Sequence, residues 1–196
     1  LLSKEENEIK ELYDYSYEQK VVLLTGFNKR FEQQINNIKH SLELNKVGNI
    51  KNLVSNIKNL YITNPENINN FDFLFNYFYY TIDYVNWLMQ DKPISVMITN
   101  NKNLKIIMEY KNDSIATINV IDDENILIQG EFGNLNLNKP LEITNSYKMQ
   151  IEHFLDVIEG EDDIAIWMEA CIYPLRIIKT GMKSIEKKRK IYINYF

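Results

Sequence analysis

Five short apolar runs, separated by tight-turn sequences, constrain the fold of this chain more than any other feature. The sequences between them are Asn-Lys-Asn, Lys-Asn-Asp, Asp-Asp-Glu and Phe-Gly-Asn, which are residue types typical of tight turns. Because short connections join antiparallel neighbours, the runs predict an antiparallel sheet. The runs are 94–99, 104–110, 114–121, 125–132 and 134–138.

Helical periodicity flanks the predicted strands on both sides. Ser3 and Glu6 have the spacing of a capping box and predict the start of a first helix. A last strand is predicted at 190–195, and the segment 49–62 is assigned no element. Together these elements predict an α+β fold, an open-faced and mainly antiparallel β-sheet with helices on one face. The further predicted helices are 31–45, 71–90, 148–159 and 163–186, the last with Pro174 as a kink.

The start of the chain has a different pattern. Residues 21–24 are Val-Val-Leu-Leu, an unbroken apolar run bounded by charge before it and Gly26 after it. Such a run is typical of a strand covered on both faces, as in a parallel sheet. We therefore predict a short parallel-type strand at 21–24.

Composition and charge exclude several classes of function. The 196 residues carry a formal charge of −5, which argues against a nucleic-acid binder with a basic face. The single cysteine, Cys171, predicts a reducing, cytoplasmic compartment, and we see no secretion leader. The most apolar stretch, 73–89, is interrupted by Asn76, Asp83 and Asn86, which predicts a buried helix and no membrane span.

The predicted helix 71–90 sorts its residues into a polar stripe and an apolar side. Phe78 and Ile82 fall on the apolar side and are expected to be buried. The stripe has two interpretations. It either faces water along a core helix, or it lines a cleft in which Asn76, Tyr80 and Asp83 meet. The stripe consists of Asp72, Asn76, Tyr79, Asp83, Asn86 and Gln90, with Tyr80 at its edge.

Other chemically capable residues are isolated. His40 and His153 have no His, Cys or carboxylate partner at metal-ligand spacing, so we expect surface or cap roles and no metal site. Cys171 lies on an apolar helix face, where an inert packing role is expected. The basic run 187–190 is expected to solvate the strand after it.

A set of short motifs resembles the glucose-fructose oxidoreductase / inositol dehydrogenase / rhizopine catabolism (Gfo/Idh/MocA) family. The most specific is Gly26-Phe27-Asn28-Lys29-Arg30-Phe31, which is similar to the family's G-[FY]-N-x-R-F sequence after an apolar strand. The motifs follow the family's order along nearly the whole chain. The others are Gly48-Asn49-Ile50, 82–88, the hairpin 105–119, 130–135, 151–155 and 184–193.

The resemblance implies a domain organisation. Family members hold a nicotinamide cofactor on an N-terminal Rossmann domain, with a catalytic lysine in an E-K-P segment. This chain is expected to begin just after that segment, so the glycine-rich loop and the lysine are missing from it. Residues 1–26 would then be the end of a Rossmann domain, and 27–196 an α/β domain for substrate binding and oligomerisation. We expect the cofactor, NAD or NADP, to be bound by the parent protein and not by this chain alone.

The resemblance also implies site residues, with one departure. The family pattern G-G-G-x-L-x-D-x-G-x-H-x-x-D, aligned on Asp83, places Tyr80 at the histidine and Asn76 at the first aspartate. A base near pKa 7 suits proton removal from a hydroxyl, whereas tyrosine titrates near 10. We expect Tyr80 as the candidate catalytic residue, Asn76, Asp83 and Asn28 as substrate-binding residues, and Arg30 near the cofactor.

Three functions remain open at this point. The chain is part of a sugar or polyol oxidoreductase with an altered catalytic pair, an inactive sugar-binding module, or a structural assembly domain. For each, we expect a homo-oligomer formed through the open sheet face, because apolar residues occupy both alternating sets of the strands. Ile106, Met108, Tyr110, Ile115, Thr117, Ile126 and Ile128 are the residues that suggest this.

Overall fold

The structure, a computed structural model, describes residues 2–58, 68–100, 103–138, 143–161 and 168–195. The described helices are α1 (Glu6–Gln19), α2 (Gln33–Glu43), α3 (Phe71–Met89), α4 (Ile143–Glu159) and α5 (Met168–Lys187), with a 3₁₀ turn at Asn28–Phe31. The described strands are β1 (Ile50–Lys58), β2 (Ser95–Thr99), β3 (Lys105–Glu109), β4 (Ile115–Ile121), β5 (Asn125–Gly130), β6 (Asn134–Leu137) and β7 (Ile191–Tyr192).

The strands form one sheet in the order β6-β5-β1-β4-β3-β2-β7. Five of the six pairings are antiparallel, and only β1 with β4 is parallel. The α+β prediction and the five strand predictions between 94 and 138 are therefore confirmed. Residues 59–62 of the unassigned segment and 163–167 of the predicted last helix lie outside the described residues.

Strand β1 is the element that the sequence did not reveal. It occupies the middle of the sheet, paired on one side with β5 and on the other with β4. Its inner positions include Ser55, whose hydroxyl hydrogen-bonds the hydroxyl of Tyr84 on α3. Its outer positions include asparagines, so the strand shows no simple apolar and polar alternation. The period-2 signal on which strand prediction depends is thus weak in β1.

Two predictions near the start of the chain are wrong. Residues 21–24 form no strand, because none of the described strands lies beside them and a strand needs a hydrogen-bonded neighbour. The capping box is also absent, since α1 begins at Glu6 and its N-cap residue, Glu5, makes no side-chain cap bond. Ser3 lies before the helix, where its hydroxyl accepts a hydrogen bond from the Glu5 amide at 3.0 Å.

Helices α3 and α5 cover one face of the sheet. The inner side chains of the strands are buried, among them Ile106, Met108, Ile126 and Ile128. These four residues belong to the covered alternating set, whereas Ile115 and Thr117 belong to the set on the other face. None of the helices in the described ranges has an apolar stretch of the length and hydropathy that a membrane crossing requires.

The other face of the sheet carries a transverse, mainly apolar row beside a row of asparagines. Strand register places Leu127, Val54, Thr117, Ile107 and Met97 side by side across five strands. Next to this row, the Asn56 amide donates to Asn125 at 3.0 Å and accepts from Asn119 at 2.8 Å. The open face thus combines an apolar band with a ladder of hydrogen-bonded amides.

Candidate functional site

The centre of the candidate site is a buried ion pair between Arg30 and Asp83. Arg30 lies in the 3₁₀ turn and Asp83 in the middle of α3. The guanidinium binds the carboxylate through two hydrogen bonds, with Nε to Oδ2 at 2.8 Å and Nη2 to Oδ1 at 2.5 Å. The side chains are only 10% and 2% exposed, respectively. This bidentate geometry fixes the position of the turn relative to α3.

Aromatic rings surround the guanidinium of Arg30. Its Cζ lies 5.5 Å from the ring centre of Phe27 and 5.6 Å from that of Trp87. Burial raises the pKa of the Asp83 carboxyl, and the positive charge of Arg30 acts in the opposite direction. The pair therefore combines a costly desolvation with strong charge-assisted hydrogen bonds.

A cavity of about 640 Å³ opens on the Trp87 side of this ion pair. Its volume lies in the range of small-molecule sites. Among the described residues, its lining includes three cationic and three carboxylate side chains, two amides and two aromatic rings. The lining residues are Arg30, Lys39, Asp83, Asn86, Trp87, Gln90, Asp91, Lys92, Glu169, Ala170, Tyr173 and Pro174.

Tyr80 and Asn28 lie on the other side, toward α4. The Tyr80 ring packs edge-on against Phe27 at 5.9 Å between ring centres. Asn28 donates from Nδ2 to the hydroxyl of Ser146 on α4 at 3.5 Å, the limit of a hydrogen bond. Burial raises the pKa of the Tyr80 hydroxyl, and Tyr147 of α4 acts in the same direction. The 3₁₀ turn packs between α3 and α4, and this packing brings it close to Tyr80.

The structure brings the predicted residues together only in part. Arg30 and Asp83 meet directly and line the cavity, whereas Tyr80 and Asn28 are not among its lining residues. Asn76 is exposed on α3 and also lies outside that lining. A common cleft for Asn76, Tyr80 and Asp83 therefore remains a hypothesis.

The polar stripe of α3 contains one error. Tyr79 is 1% exposed, and its hydroxyl donates to the backbone carbonyl of Cys171 at 2.9 Å. A tyrosine can join a core when its hydroxyl finds such an acceptor, which residue type alone does not reveal. Phe78 and Ile82 are fully buried, as predicted.

Two groups of residues near the site were not found from sequence. The first comprises cavity residues from separate elements, such as Lys39, Trp87 and Tyr173, which share no sequence motif. The second is Glu32, a 2% exposed residue whose carboxylate oxygens have no hydrogen-bond partner in the described part of the chain. Burial raises the pKa of Glu32 to about 7, with Lys29 lowering it and Glu124 raising it.

Cys171 packs in the core beside this region. Its Sγ lies 2.9 Å from the Thr25 hydroxyl and 3.5 Å from the Tyr13 hydroxyl. Burial raises the pKa of the thiol, so the reactive thiolate is disfavoured. These observations support the predicted packing role.

Comparison of the structure with solved structures identifies its fold. Myo-inositol dehydrogenase from Lactobacillus casei, solved with NAD(H) and myo-inositol, matches 100% of this chain with a TM-score of 0.80 and 16% identity. The chain shares the fold of these dehydrogenases. Myo-inositol dehydrogenase from Corynebacterium glutamicum matches 99% of it at a TM-score of 0.79 and 13% identity. Aldose-aldose oxidoreductase from Caulobacter crescentus, complexed with glycerol, matches 97% at 0.77 and 11% identity.

The matches cover 69%, 71% and 70% of those three chains, respectively. No protein-family model matches the sequence, and no curated protein matches it. The fold predicted from the resemblance is thus confirmed by structure, at identities too low for sequence comparison to find it.

The ion pair leads to a stability prediction. Asp83→Asn leaves the buried guanidinium of Arg30 without its counter-charge, so we expect a loss of about 3–5 kcal/mol in the free energy of unfolding. The double variant Arg30→Met/Asp83→Leu should recover most of it, because apolar replacement of both partners removes the desolvation cost. Urea unfolding measures both changes.

The matched control is Asp72→Asn, which removes an exposed carboxylate paired with Lys4 at 2.7 Å. Exposed pairs contribute less than about 1 kcal/mol. A loss below about 1 kcal/mol for Asp83→Asn, equal to that of the control, would contradict a structural role of the pair.

Glu32 leads to a pH prediction. Its pKa rises from 4.5 to about 7 on folding, so its contribution to stability is fully present below pH 4.5 and is lost as pH rises through 7. The difference in unfolding free energy between Glu32→Gln and the parent chain should therefore shift by about 3 kcal/mol in favour of the variant between pH 4 and pH 9. The exposed Glu11→Gln serves as control. If the difference in unfolding free energy between Glu32→Gln and the parent chain changes with pH no more than that of the control, the pKa of Glu32 is not raised on folding.

Proposed function

We propose that this chain is the polyol- or sugar-binding and assembly part of an NAD(P)-dependent oxidoreductase of the Gfo/Idh/MocA type. Its fold, shared with a dehydrogenase solved with NAD(H) and myo-inositol, supports this proposal most directly. The ion pair of Arg30 and Asp83 supports it further, because it joins the G-F-N-x-R-F motif to α3, the helix that carries Tyr80. A cytoplasmic location remains a prediction.

The cofactor would be held by a separate nucleotide-binding unit. The 196 residues contain no glycine-rich sequence that could cradle a pyrophosphate at a helix N-terminus. Residues 1–26 would form the end of that unit, with the extended segment after α1 as a neighbour for its sheet. Val21 is 58% exposed in this segment, and a neighbouring strand of that unit would cover it. The guanidinium of Arg30 is paired with Asp83, so Arg30 would hold the 3₁₀ turn in place near the cofactor and would not bind the cofactor itself.

The substrate would bind around the ion pair through hydroxyl groups. The cavity has balanced positive and negative charges, so it suits a neutral ligand rich in hydroxyls more than an ion. Carboxylates accept hydroxyl hydrogens, whereas lysines and amides donate to hydroxyl oxygens. In this cavity, Asp83 would act as an acceptor and as the anchor of Arg30. Contact of Asn28 and Asn76 with the ligand stays a prediction from the resemblance.

The role of Tyr80 decides between turnover and binding. In an active parent enzyme, Tyr80 would transfer the hydroxyl proton during oxidation of the ligand. Burial raises its pKa, however, which favours a protonated hydroxyl that donates a hydrogen bond and disfavours a base. This observation favours a second candidate function, a binding module that holds a sugar or polyol without turnover.

We expect the isolated chain to bind myo-inositol in the millimolar range and to show no micromolar affinity for NAD(H). Tyr80→Phe removes a single hydrogen-bonding hydroxyl, so it should weaken inositol binding about fivefold to tenfold. Titration followed by ligand-observed NMR measures the polyol, and calorimetry measures the nucleotide. Tyr15→Phe is the matched control, because Tyr15 is 62% exposed on α1.

Two outcomes would contradict the proposal in different ways. Unchanged inositol affinity in Tyr80→Phe would remove Tyr80 from the site. A micromolar affinity for NAD(H) would show that the chain itself binds the cofactor. Adding the nucleotide-binding unit with NAD and measuring reduced cofactor then separates an enzyme part from a binding module.

We also propose that copies of the chain associate through the open sheet face. The apolar row through Val54 and Ile107 would be buried by a second sheet, and symmetric dimers are the commonest oligomers. Ile107→Lys should therefore shift the species seen by light scattering at micromolar concentration from a dimer to 23.3 kDa. Leu12→Lys on α1 is the control, since Leu12 is also exposed. A 23.3 kDa species for the parent chain would contradict this association.

A further inference from the structure

Exposed apolar side chains are concentrated on two parts of the surface. Of the twelve exposed large apolar residues in the described part of the chain, eight lie on α4 or within residues 1–26. Apolar side chains grouped in this way mark an interaction surface, whereas scattered ones do not. The four on α4, which we call the α4 stripe, are Tyr147, Ile151, Leu155 and Ile158, and the other four are Leu12, Tyr15, Tyr17 and Val21.

The α4 stripe lies beside the segment that follows α1. Gly26, at the end of that segment, is so close to α4 that a Cβ atom on it would lie 3.3 Å from the side-chain amide of Gln150. Gln150 is one helical turn from Tyr147, the first residue of the stripe. A partner that covers the segment after α1 would therefore also reach the α4 stripe.

The stripe is free to accept a partner because α4 joins its own domain by another side. On that side, Ser146 accepts a hydrogen bond from Asn28 at 3.5 Å, and the His153 ring lies 5.4 Å from the Phe31 ring. The spacing of four, four and three residues within the stripe places its side chains together on a different side of the helix.

The backbone of the segment after α1 indicates what kind of partner fits. Val22, Leu23 and Leu24 make no backbone hydrogen bond to any residue that the structure describes. A short apolar run with unpaired amides and carbonyls is suited to join the edge of a sheet as a further strand. The partner at this surface would therefore have a sheet of its own, whose edge strand pairs with residues 21–24.

The charges on α4 exclude two other occupants. Residues 145–161 carry one lysine against four carboxylates, and this lysine, Lys148, already pairs with Glu152 at 3.5 Å. A second copy of α4 would thus bring acidic residues against acidic residues, and a membrane of anionic lipids would repel them. The stripe instead suits a partner whose apolar patch is bordered by basic side chains. The four carboxylates are Glu152, Asp156, Glu159 and Glu161.

We propose that the α4 stripe is the docking surface for the nucleotide-binding unit, whose sheet would continue along residues 21–24. This inference rests on the proposed function, which requires such a unit but does not assign it a contact on α4. A dinucleotide-binding unit has the feature that the backbone calls for, because it is built on a parallel sheet covered by helices. The apolar run at 21–24 is typical of a strand in such a sheet.

Docking on α4 would change the surroundings of Tyr80. Tyr147 of the stripe raises the pKa of the Tyr80 hydroxyl, so the two hydroxyls are near each other. A unit seated on Tyr147 would exclude water from this region and form a second wall opposite Tyr80. The Tyr80 side of the site would thus be completed only on docking, whereas the cavity beside Trp87 is present in the chain alone.

Cysteine labelling tests where the unit docks. Cys171, the only cysteine of the chain, is buried, so a cysteine introduced on the surface reports its own accessibility. Ile151→Cys is prepared in this chain and in the parent protein that includes the nucleotide-binding unit, and maleimide labelling is read at residue 151 by mass spectrometry. We expect labelling about tenfold slower in the parent protein, because the side chain is covered there.

The matched control is Leu44→Cys, because Leu44 is also exposed but lies outside α4 and residues 1–26. It should be labelled equally fast in both proteins. Hydrogen exchange of the unsubstituted proteins gives a second measurement. The amides of residues 22–24 should exchange about tenfold more slowly in the parent protein than in the chain alone, because pairing with a strand protects them.

Three results would overturn the proposal. The first is equal labelling of Ile151→Cys in both proteins, and the second is unchanged exchange at residues 22–24. The third is labelling of this chain that slows as its own concentration rises, which would assign the α4 stripe to a second copy. Inositol binding by this chain tests the proposed function separately, so bound inositol together with equal labelling would remove only the docking site.

Discussion

The bidentate pair of Arg30 and Asp83 holds the candidate site together. A guanidinium and a carboxylate this far from water are stable only while each satisfies the other. The pair therefore fixes the 3₁₀ turn against the middle of α3, and Phe27 and Trp87 complete the enclosure of the guanidinium. The cavity beside Trp87 and the packing of Phe27 on Tyr80 both depend on that position.

The two faces of the sheet have different surroundings. Its inner face is covered by α3 and α5, and so α3 carries Tyr80 and Asp83 on a rigid support. Its outer face combines an apolar row with the amide ladder of Asn125, Asn56 and Asn119. Asn56 both donates and accepts within this ladder, whereas Oδ1 of Asn119 has no hydrogen-bond partner among the described residues.

The chemistry of the site supports ligand binding more than proton transfer. Asn76 cannot accept a proton, and the pKa of Tyr80 is raised, which is the direction opposite to that needed by a base. The described lining of the cavity offers both hydrogen-bond donors and acceptors.

Much of the fold and part of the site could be predicted from the sequence. Turn residues and period-2 patterns determined the strands between 94 and 138, and helical periodicity determined α3 with Phe78 and Ile82 in the core. The motif at 26–31 and the pattern around Asp83 pointed to Arg30 and Asp83, which the structure pairs with each other, whereas their expected roles near cofactor and substrate stay predictions. These features are local in the chain, so their signals lie within a few neighbouring residues.

Only the tertiary structure decided the remaining features. Strand β1 depends on pairing with β4 and β5, and none of the described strands lies beside residues 21–24. The hydroxyl of the buried Tyr79 depends on the backbone carbonyl of Cys171 as its acceptor. The cavity gathers residues from α2, α3 and α5, and the buried carboxyl of Glu32 depends on what surrounds it. Each of these depends on contacts between residues that are distant in the sequence. Burial and pairing of that kind are properties of the folded chain, and no local pattern encodes them.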